Sequence, residues 1–296
     1  MATIKPKKAD AFIVAVPTPF KKNYKPDLSF IKSAAKAIAP LLEKGNLVIL
    51  ESTSPVGTTE KMMQWIREER PDLLFPEFGE NNYKEADISV AHCPERVLPG
   101  QIIRELVEND RIIGGISANC SEKVTNLYKI FVNADCLVTD CRTAELSKLV
   151  ENSFRDVNIA YANELSLICD KLNINVWKLI KLANLHPRVD ILNPGPGVGG
   201  HCIAVDPWFI IDSAPREAKL IHTARLVNNA KPGFVLDKIQ QAIDAIDKDV
   251  SDIKIACLGL SFKPDIDDLR HSPALNIVEN IILKGFSEFL VVEPNI

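Results

Sequence analysis

Ala9-Asp10-Ala11-Phe12-Ile13-Val14-Ala15-Val16-Pro17 is an almost unbroken apolar run, stopped by the turn Pro17-Thr18-Pro19. A strand wetted on one face alternates apolar and polar residues, whereas a strand covered on both faces does not, so this run predicts a buried parallel strand. The same reading applies to residues 46–52, and further strands are predicted at 88–91, 111–114 and 136–139. Helical spacing of apolar residues fills the intervals at 28–42, 59–69 and 122–131. Strands that alternate with helices predict an α/β fold with a doubly wound parallel sheet.

Beyond this region the period changes. Residues 143–172 predict one long helix, with Leu146, Leu149, Val150, Phe154, Val157, Ala160, Tyr161, Leu165 and Ile168 on one stripe. Lys148 and Asn152 lie four apart on the opposite face, where a solvated helix surface is the plain reading. A helix at 176–184 leads to His186-Pro187-Arg188, and 216–246 reads as a long helix that Pro232 should kink or break. A strand at 253–260, a helix at 273–283 and a strand at 289–293 open a second α/β unit. No G-x-G-x-x-G follows the opening strand. A sheet entered on a buried strand, and a last unit halted after its second strand, lead to the expectation that both ends of a longer protein are missing.

Composition narrows the class. At 296 residues, with 46% hydrophobic and 25% charged residues, the chain is long enough for more than one core and ordinary for a globular protein. A net charge of −4 gives no footprint for nucleic acid, and no apolar run reaches the roughly 20 residues of a membrane span, so a cytoplasmic protein is expected. The seven cysteines are scattered and match neither a disulfide framework nor a C-x-x-C metal pattern.

Reactive side chains converge on Pro194-Gly195-Pro196-Gly197-Val198-Gly199-Gly200-His201-Cys202-Ile203-Ala204-Val205-Asp206-Pro207. Four glycines within six positions let the backbone approach a ligand, two prolines stiffen it, and the loop delivers a thiol with Asp206 four residues on. That is the composition of a nucleophile site, the alternative being a turn that ends on a buried structural cysteine. A metal is the rival chemistry for His92-Cys93 and His201-Cys202. Adjacent residues of a strand point to opposite faces, so neither pair chelates as a unit and no metal is expected.

Six strings together resemble the UDP-glucose/GDP-mannose dehydrogenase family. They are Phe12 to Phe20, Glu51 to Gly57, Cys93-Pro94-Glu95-Arg96-Val97-Leu98-Pro99-Gly100, the helix from Glu145 to Glu164, the glycine loop through Trp208, and Phe262-Lys263-Pro264 with Arg270. The resemblance implies a partial Rossmann-like NAD domain over residues 1–140, a helical dimerisation domain with a long connecting helix over 141–250, and the start of a second Rossmann-like, UDP-binding domain over 251–296. It implies NAD as cofactor and two successive oxidations of the C6 alcohol of a UDP-sugar, in the making of surface polysaccharide. In that scheme Cys202 is the nucleophile that carries a thiohemiacetal and then a thioester. Lys148 and Asn152 face the developing oxyanion. Asp206, Glu95 and Thr53 hold or activate the hydrolytic water. Thr53, Glu95, Lys263 and Arg270 contact the cofactor, while Arg188, Gly199, Lys148 and Asn152 contact the substrate. A homodimer through the central helices is expected, with no nucleic-acid or membrane partner.

Departures from the family pattern shape the substrate expectation. Pro99 stands where UDP-glucose dehydrogenases have a second carboxylate, and His201 stands where they have serine. Both favour an N-acetylated sugar, UDP-N-acetyl-D-mannosamine, over UDP-glucose, with UDP-N-acetylglucosamine a variant. The absence of the fingerprint glycines supports a contrasting expectation, a non-catalytic remnant that keeps the dimer core. It also predicts an apolar sheet edge at Phe12 to Val16, poor solubility and weak NAD binding for the chain alone.

Overall fold

The apolar runs become strands because both their faces find cover. The computed structural model describes residues 3–79, 86–97, 100–284 and 288–296. In chain order the elements are β1 (Ala11–Val14), α1 (Ser29–Ile38), β2 (Leu47–Leu50), α2 (Thr58–Glu69), β3 (Ser89–His92), α3 (Ile102–Glu108), β4 (Arg111–Gly115), α4 (Ala118–Tyr128), β5 (Cys136–Asp140), α5 (Cys141–Lys171), α6 (Val176–Ala183), α7 (Asp206–Ser213), α8 (Lys219–Asp244), β6 (Lys254–Leu258), α9 (Pro273–Ile282) and β7 (Glu288–Val292). They divide into two units, residues 1–151 with 208–215 and residues 152–207 with 216–296.

The first unit holds a five-stranded sheet in the order β1-β2-β3-β4-β5. Val48 and Leu50 of β2 join Ile31, Ala35 and Ile38 of α1 and Met62 and Ile66 of α2 in one core. Ile49, between them in sequence, faces the other way and packs with Ala91, Ile113, Val124 and Tyr128. The two-residue period of the strand thus feeds two cores, and the four- and three-residue steps of α1 place its apolar side chains on one. Each of the valine, leucine, isoleucine and methionine side chains among them contributes roughly 1.5–3 kcal/mol when fully buried.

One pairing departs from the expected parallel sheet, so that β4 and β5 run against the other three strands. β1, β2 and β3 are parallel, as are β4 and β5, but β3 and β4 pair antiparallel through Ala91 with Gly115 and His92 with Gly114. A parallel return needs a helix laid across a sheet face. The helix between these strands, α3, was not expected from the sequence and buries no residue, so it is no such crossover. At the start of α5 the buried Glu145 carboxylate accepts from Gly57 N (2.6 Å), Thr59 N (2.7 Å) and the Thr59 hydroxyl (2.6 Å), satisfying the open N–H groups at the start of α2.

The long helices carry two departures from simple periodicity. The apolar stripe of α5 is largely outside: Phe154 is 70% and Tyr161 56% exposed, and Leu146, Val150 and Ile168 are also exposed. Only Leu149 and Ala160 of the stripe are buried, and the buried side of α5 carries Ser153, Asp156 and Asn163 instead. A hydrogen-bonded network makes this possible. Arg225 of α8 donates to Asp156 (2.6 Å), Asn228 donates to the same carboxylate (2.8 Å), and Asn163 donates to Asn228 (2.9 Å). Of the two outcomes expected at Pro232, a kink or a break, the break does not occur, for α8 runs on to Asp244. The proline lacks the N–H that the Asn228 carbonyl would accept, and that carbonyl faces Gly197, where even a Cβ would stand 3.3 Å away.

In the same unit β6 and β7 are parallel, from Lys254 with Glu288 to Leu258 with Val292. Ser272 caps α9 by accepting from Leu275 N (3.3 Å), with Pro273 in the first turn. Among the described residues no helix is long and apolar enough to cross a membrane.

Candidate active site

In the first unit β2 and β3 are parallel neighbours, and the chain leaves their ends carrying Thr53 and Glu95. Ser52 fixes the preceding turn, accepting from Val16 N and donating to Val16 O, both at 2.7 Å. The Thr18 hydroxyl donates to the carbonyl of Thr53, and the neighbouring Ser54 hydroxyl is buried without a hydrogen-bond partner. Both oxygens of Glu95 are engaged. One accepts from Arg96 N (2.6 Å) and Val97 N (2.9 Å), the other from Arg111 Nη1 (3.0 Å). Arg96 reaches Glu151 of α5 at 3.1 Å, a turn beyond the half-buried Lys148.

Arg111 was not singled out from the sequence. Its guanidinium is buried over the Tyr128 ring, 5.4 Å from its centroid, and the Tyr128 hydroxyl donates to Glu51. The available signal was an arginine opening an apolar strand, where a cation survives only beside a carboxylate. Burial raises the Glu51 carboxyl pKa and pushes the Cys93 thiol up to about 12. His92 is fully buried, with no hydrogen-bond partner for either ring nitrogen among the described residues, and burial pushes it down to about 3. The pair His92-Cys93 is therefore neutral and inert. Among the described residues no group of three or more His, Cys, Asp or Glu side chains is placed to hold a metal. Pro99 lies outside the described residues.

In the second unit the polar network continues into the glycine loop, for the Asn163 side-chain oxygen accepts from Gly195 N (2.8 Å). Gly199 sits so tightly that an added Cβ would lie 2.7 Å from the His271 carbonyl and from Phe262 Cβ. Packing alone explains that glycine. After the loop, Val205 N and Asp206 N both donate to the Cys202 carbonyl, at 2.9 and 2.8 Å, which turns the chain into α7. Asp206 opens this helix, where its N-terminus favours a carboxylate, and accepts from the Asn152 amide at 2.6 Å. Asn152 and Lys148 are half-buried, so the solvated-face reading fails for both.

The half-buried Cys202 follows His201. His201 Nδ1 lies 3.0 Å from Arg270 Nη2 and 3.4 Å from Asp268. The Arg270 guanidinium beside Asp268 holds its carboxyl well below the usual carboxylate range. Lys263 and Arg188 are exposed. The segment bearing Arg188 is closed by two bonds between Asn184 and Ile191, at 3.0 and 2.8 Å. The unit thus joins a thiol, a buried carboxylate, an amide and an arginine on one framework. Asp268 went unremarked in the sequence because His201, which it meets together with Arg270, lies far away in the chain.

Comparison with known proteins agrees along the whole length. Residues 2–132 match the NAD binding domain of the UDP-glucose/GDP-mannose dehydrogenase family, 142–230 its central domain and 256–296 its UDP binding domain. The chain is 65% identical to a UDP-N-acetyl-D-mannosamine dehydrogenase of Campylobacter jejuni, over all of this chain and 71% of the relative. It is 61% identical to an NDP-N-acetyl-D-galactosaminuronic acid dehydrogenase of Ralstonia nicotianae, over all of this chain and 68% of the relative. A solved UDP-N-acetyl-mannosamine dehydrogenase of Staphylococcus aureus superposes with a TM-score of 0.86 at 45% identity, over 99% of this chain and 67% of that one. A UDP-D-ManNAc dehydrogenase from Pyrococcus horikoshii gives 0.86 at 42% identity, over 97% of this chain and 66% of that one.

Proposed function

The chain belongs to the UDP-glucose/GDP-mannose dehydrogenase family of NAD-dependent oxidoreductases, and from that premise we propose that it serves the two-step oxidation of UDP-N-acetyl-D-mannosamine to the uronate. The observation that carries the reading is Cys202 at the end of a packed glycine loop, with Asp206 and Asn152 joined beside it. The residues present suit NAD: Thr53 and the unpartnered Ser54 hydroxyl follow a parallel strand, where doubly wound sheets take ligands, and Lys263 and Arg270 are exposed cations for phosphate. When bound, NAD supplies the hydride acceptor.

The chain's own residues do the rest. Lys148 takes the proton of the C6 hydroxyl as the first hydride leaves and the aldehyde forms. The Cys202 thiolate adds to the aldehyde carbon, and Lys148 and Asn152 face the resulting oxyanion. Loss of the second hydride leaves a thioester on Cys202. Water, held by Thr53 and deprotonated by Glu95 or Asp206, cleaves it to the carboxylate and returns the thiol. Arg188 and Gly199 border the sugar. The assignment of residues 1–140, 141–250 and 251–296 to cofactor, dimerisation and UDP-binding domains belongs to this reading, as do a cytoplasmic setting and a homodimer. The exposed Phe154 and Tyr161 on α5 support the last.

A second reading has its own support, because relatives at 61% identity are named for a galactosaminuronic acid. The chemistry would be the same on a sugar of different configuration. Product analysis under excess NAD tests both. Cys202→Ser is expected to lose uronate formation by at least about a hundredfold, since a serine hydroxyl is far harder to ionise than a thiol. Uronate formed at the unmodified rate overturns the nucleophile, a higher kcat/KM on the galacto-configured sugar selects the second reading, and absence of turnover in the unmodified chain favours a binding role without catalysis.

A further inference from the structure

The three residues before Cys202 are held by one other segment of the chain. Gly200 N donates to the Arg270 carbonyl at 2.9 Å, and a Cβ on Gly200 would lie 2.7 Å from the Phe262 ring. His201 meets the Arg270 guanidinium at 3.0 Å. An arginine only donates, so in this hydrogen bond Nδ1 of His201 accepts, with an Asp268 oxygen 3.4 Å from the same nitrogen. Arg270 is itself fixed by Asp268, whose two oxygens accept from Nε at 2.9 Å and Nη2 at 2.7 Å. Asp268 also accepts from Arg270 N at 2.9 Å, so the pair is clamped through both side chain and backbone.

We propose that Arg270 is a positioning residue for Cys202, acting through His201. The planar guanidinium binds a carboxylate and an imidazole at once, which a lysine ammonium on its flexible stem does not reproduce. His201 is joined to Cys202 by one peptide bond, so fixing its ring restricts the placement of Sγ. A nucleophile must stand within a few tenths of an ångström of its attack geometry, and a loop this rich in glycine does not ensure that unaided. A residue that also faces a nucleotide phosphate would tie arrival of that ligand to the thiol's position. The inference rests on the reading of Cys202 as nucleophile.

The test is the rate at which iodoacetamide modifies Cys202 in the full chain without nucleotide, followed by peptide mass spectrometry, together with hydrogen exchange at Gly200. Arg270→Lys keeps the charge and His201→Leu removes the acceptor. Each should raise both rates by about threefold to tenfold, the equilibrium weight of one ordinary hydrogen bond. The double variant should go no further than either single one. His201→Asn, whose side-chain oxygen stands near the position of Nδ1, should restore the unmodified rate. Unchanged rates in both single variants, or effects that multiply in the double variant, overturn the proposal. Retained uronate formation in Cys202→Ser would instead remove the catalytic reading while leaving the positioning result standing.

Discussion

The two units solve the same problem with opposite materials. The first buries continuous apolar strands between helices, so that Val48, Ile49, Leu50 and Val90 are wholly inaccessible. The second buries Asp156, Asn163, Arg225 and Asn228 and turns Phe154, Tyr161 and Trp177 outward. The first gains mainly from removal of apolar surface from water, with little dependence on direction. The second depends on directional hydrogen bonds around a buried ion pair, and removing one partner of such a pair is penalised steeply. Its outward apolar residues are consistent with the proposed homodimer.

Breaking the polar core gives the largest expected effect. Arg225→Met leaves Asp156 buried without its cation and should destabilise the second unit by about 3–5 kcal/mol. Asp156→Leu with Arg225→Met should recover most of that loss. Denaturant unfolding of the chain, with tryptophan and far-ultraviolet signals followed separately, checks both; a double variant no more stable than the single one would show that the network does more than neutralise Asp156.

An acid titration sharpens the contrast from the side of the first unit. Burial pushes His92 down to about 3 from its ordinary 6.5. The unfolded chain therefore binds the extra proton first, and the stability that His92 lends as a neutral ring is fully present above pH 6.5 and is lost as pH falls toward 3. Between pH 6 and 5 the first unit should lose about 1 kcal/mol. His92→Leu should flatten that interval, and an unchanged slope in the variant would assign the acid sensitivity elsewhere.

The smallest effect on folding is expected on the outward face of α5. Tyr161→Gln should change unfolding free energy by less than about 0.5 kcal/mol, as for other exposed positions. It should nevertheless shift the sedimentation coefficient toward that of a single chain. A variant that sediments like the unmodified protein would detach this stripe from the homodimer.

Much of the first unit was legible because its strands are short, apolar and bounded by turns, and because α1, α2 and α4 repeat at helical spacing. What escaped were properties that no local pattern carries. The direction of β4 depends on the route of the chain after β3, and α3 has too little apolar period to be seen. The stripe on α5 was recognised as apolar, but what covers it was not, since an apolar face specifies burial against something and not which neighbour supplies it. At the candidate site, the glycine loop with Cys202 and Asp206 stood out by residue type and spacing, whereas Asn152 read as a solvated helix position and entered only through the family resemblance. Arg111 and Asp268 were not, because their meaning lies in Glu95 and in Arg270 and His201.

From its residues alone this chain determined most of the order of its elements, a consequence of local periodicity, and its family, through strings that resemble it along the whole chain. The tertiary structure decided the antiparallel pairing of β3 with β4, the polar core of the second unit, the unbroken α8 through Pro232 and the clamp on His201. Each of these requires groups distant in sequence to satisfy one another's charges and hydrogen bonds, and such pairings exist only after the chain has folded.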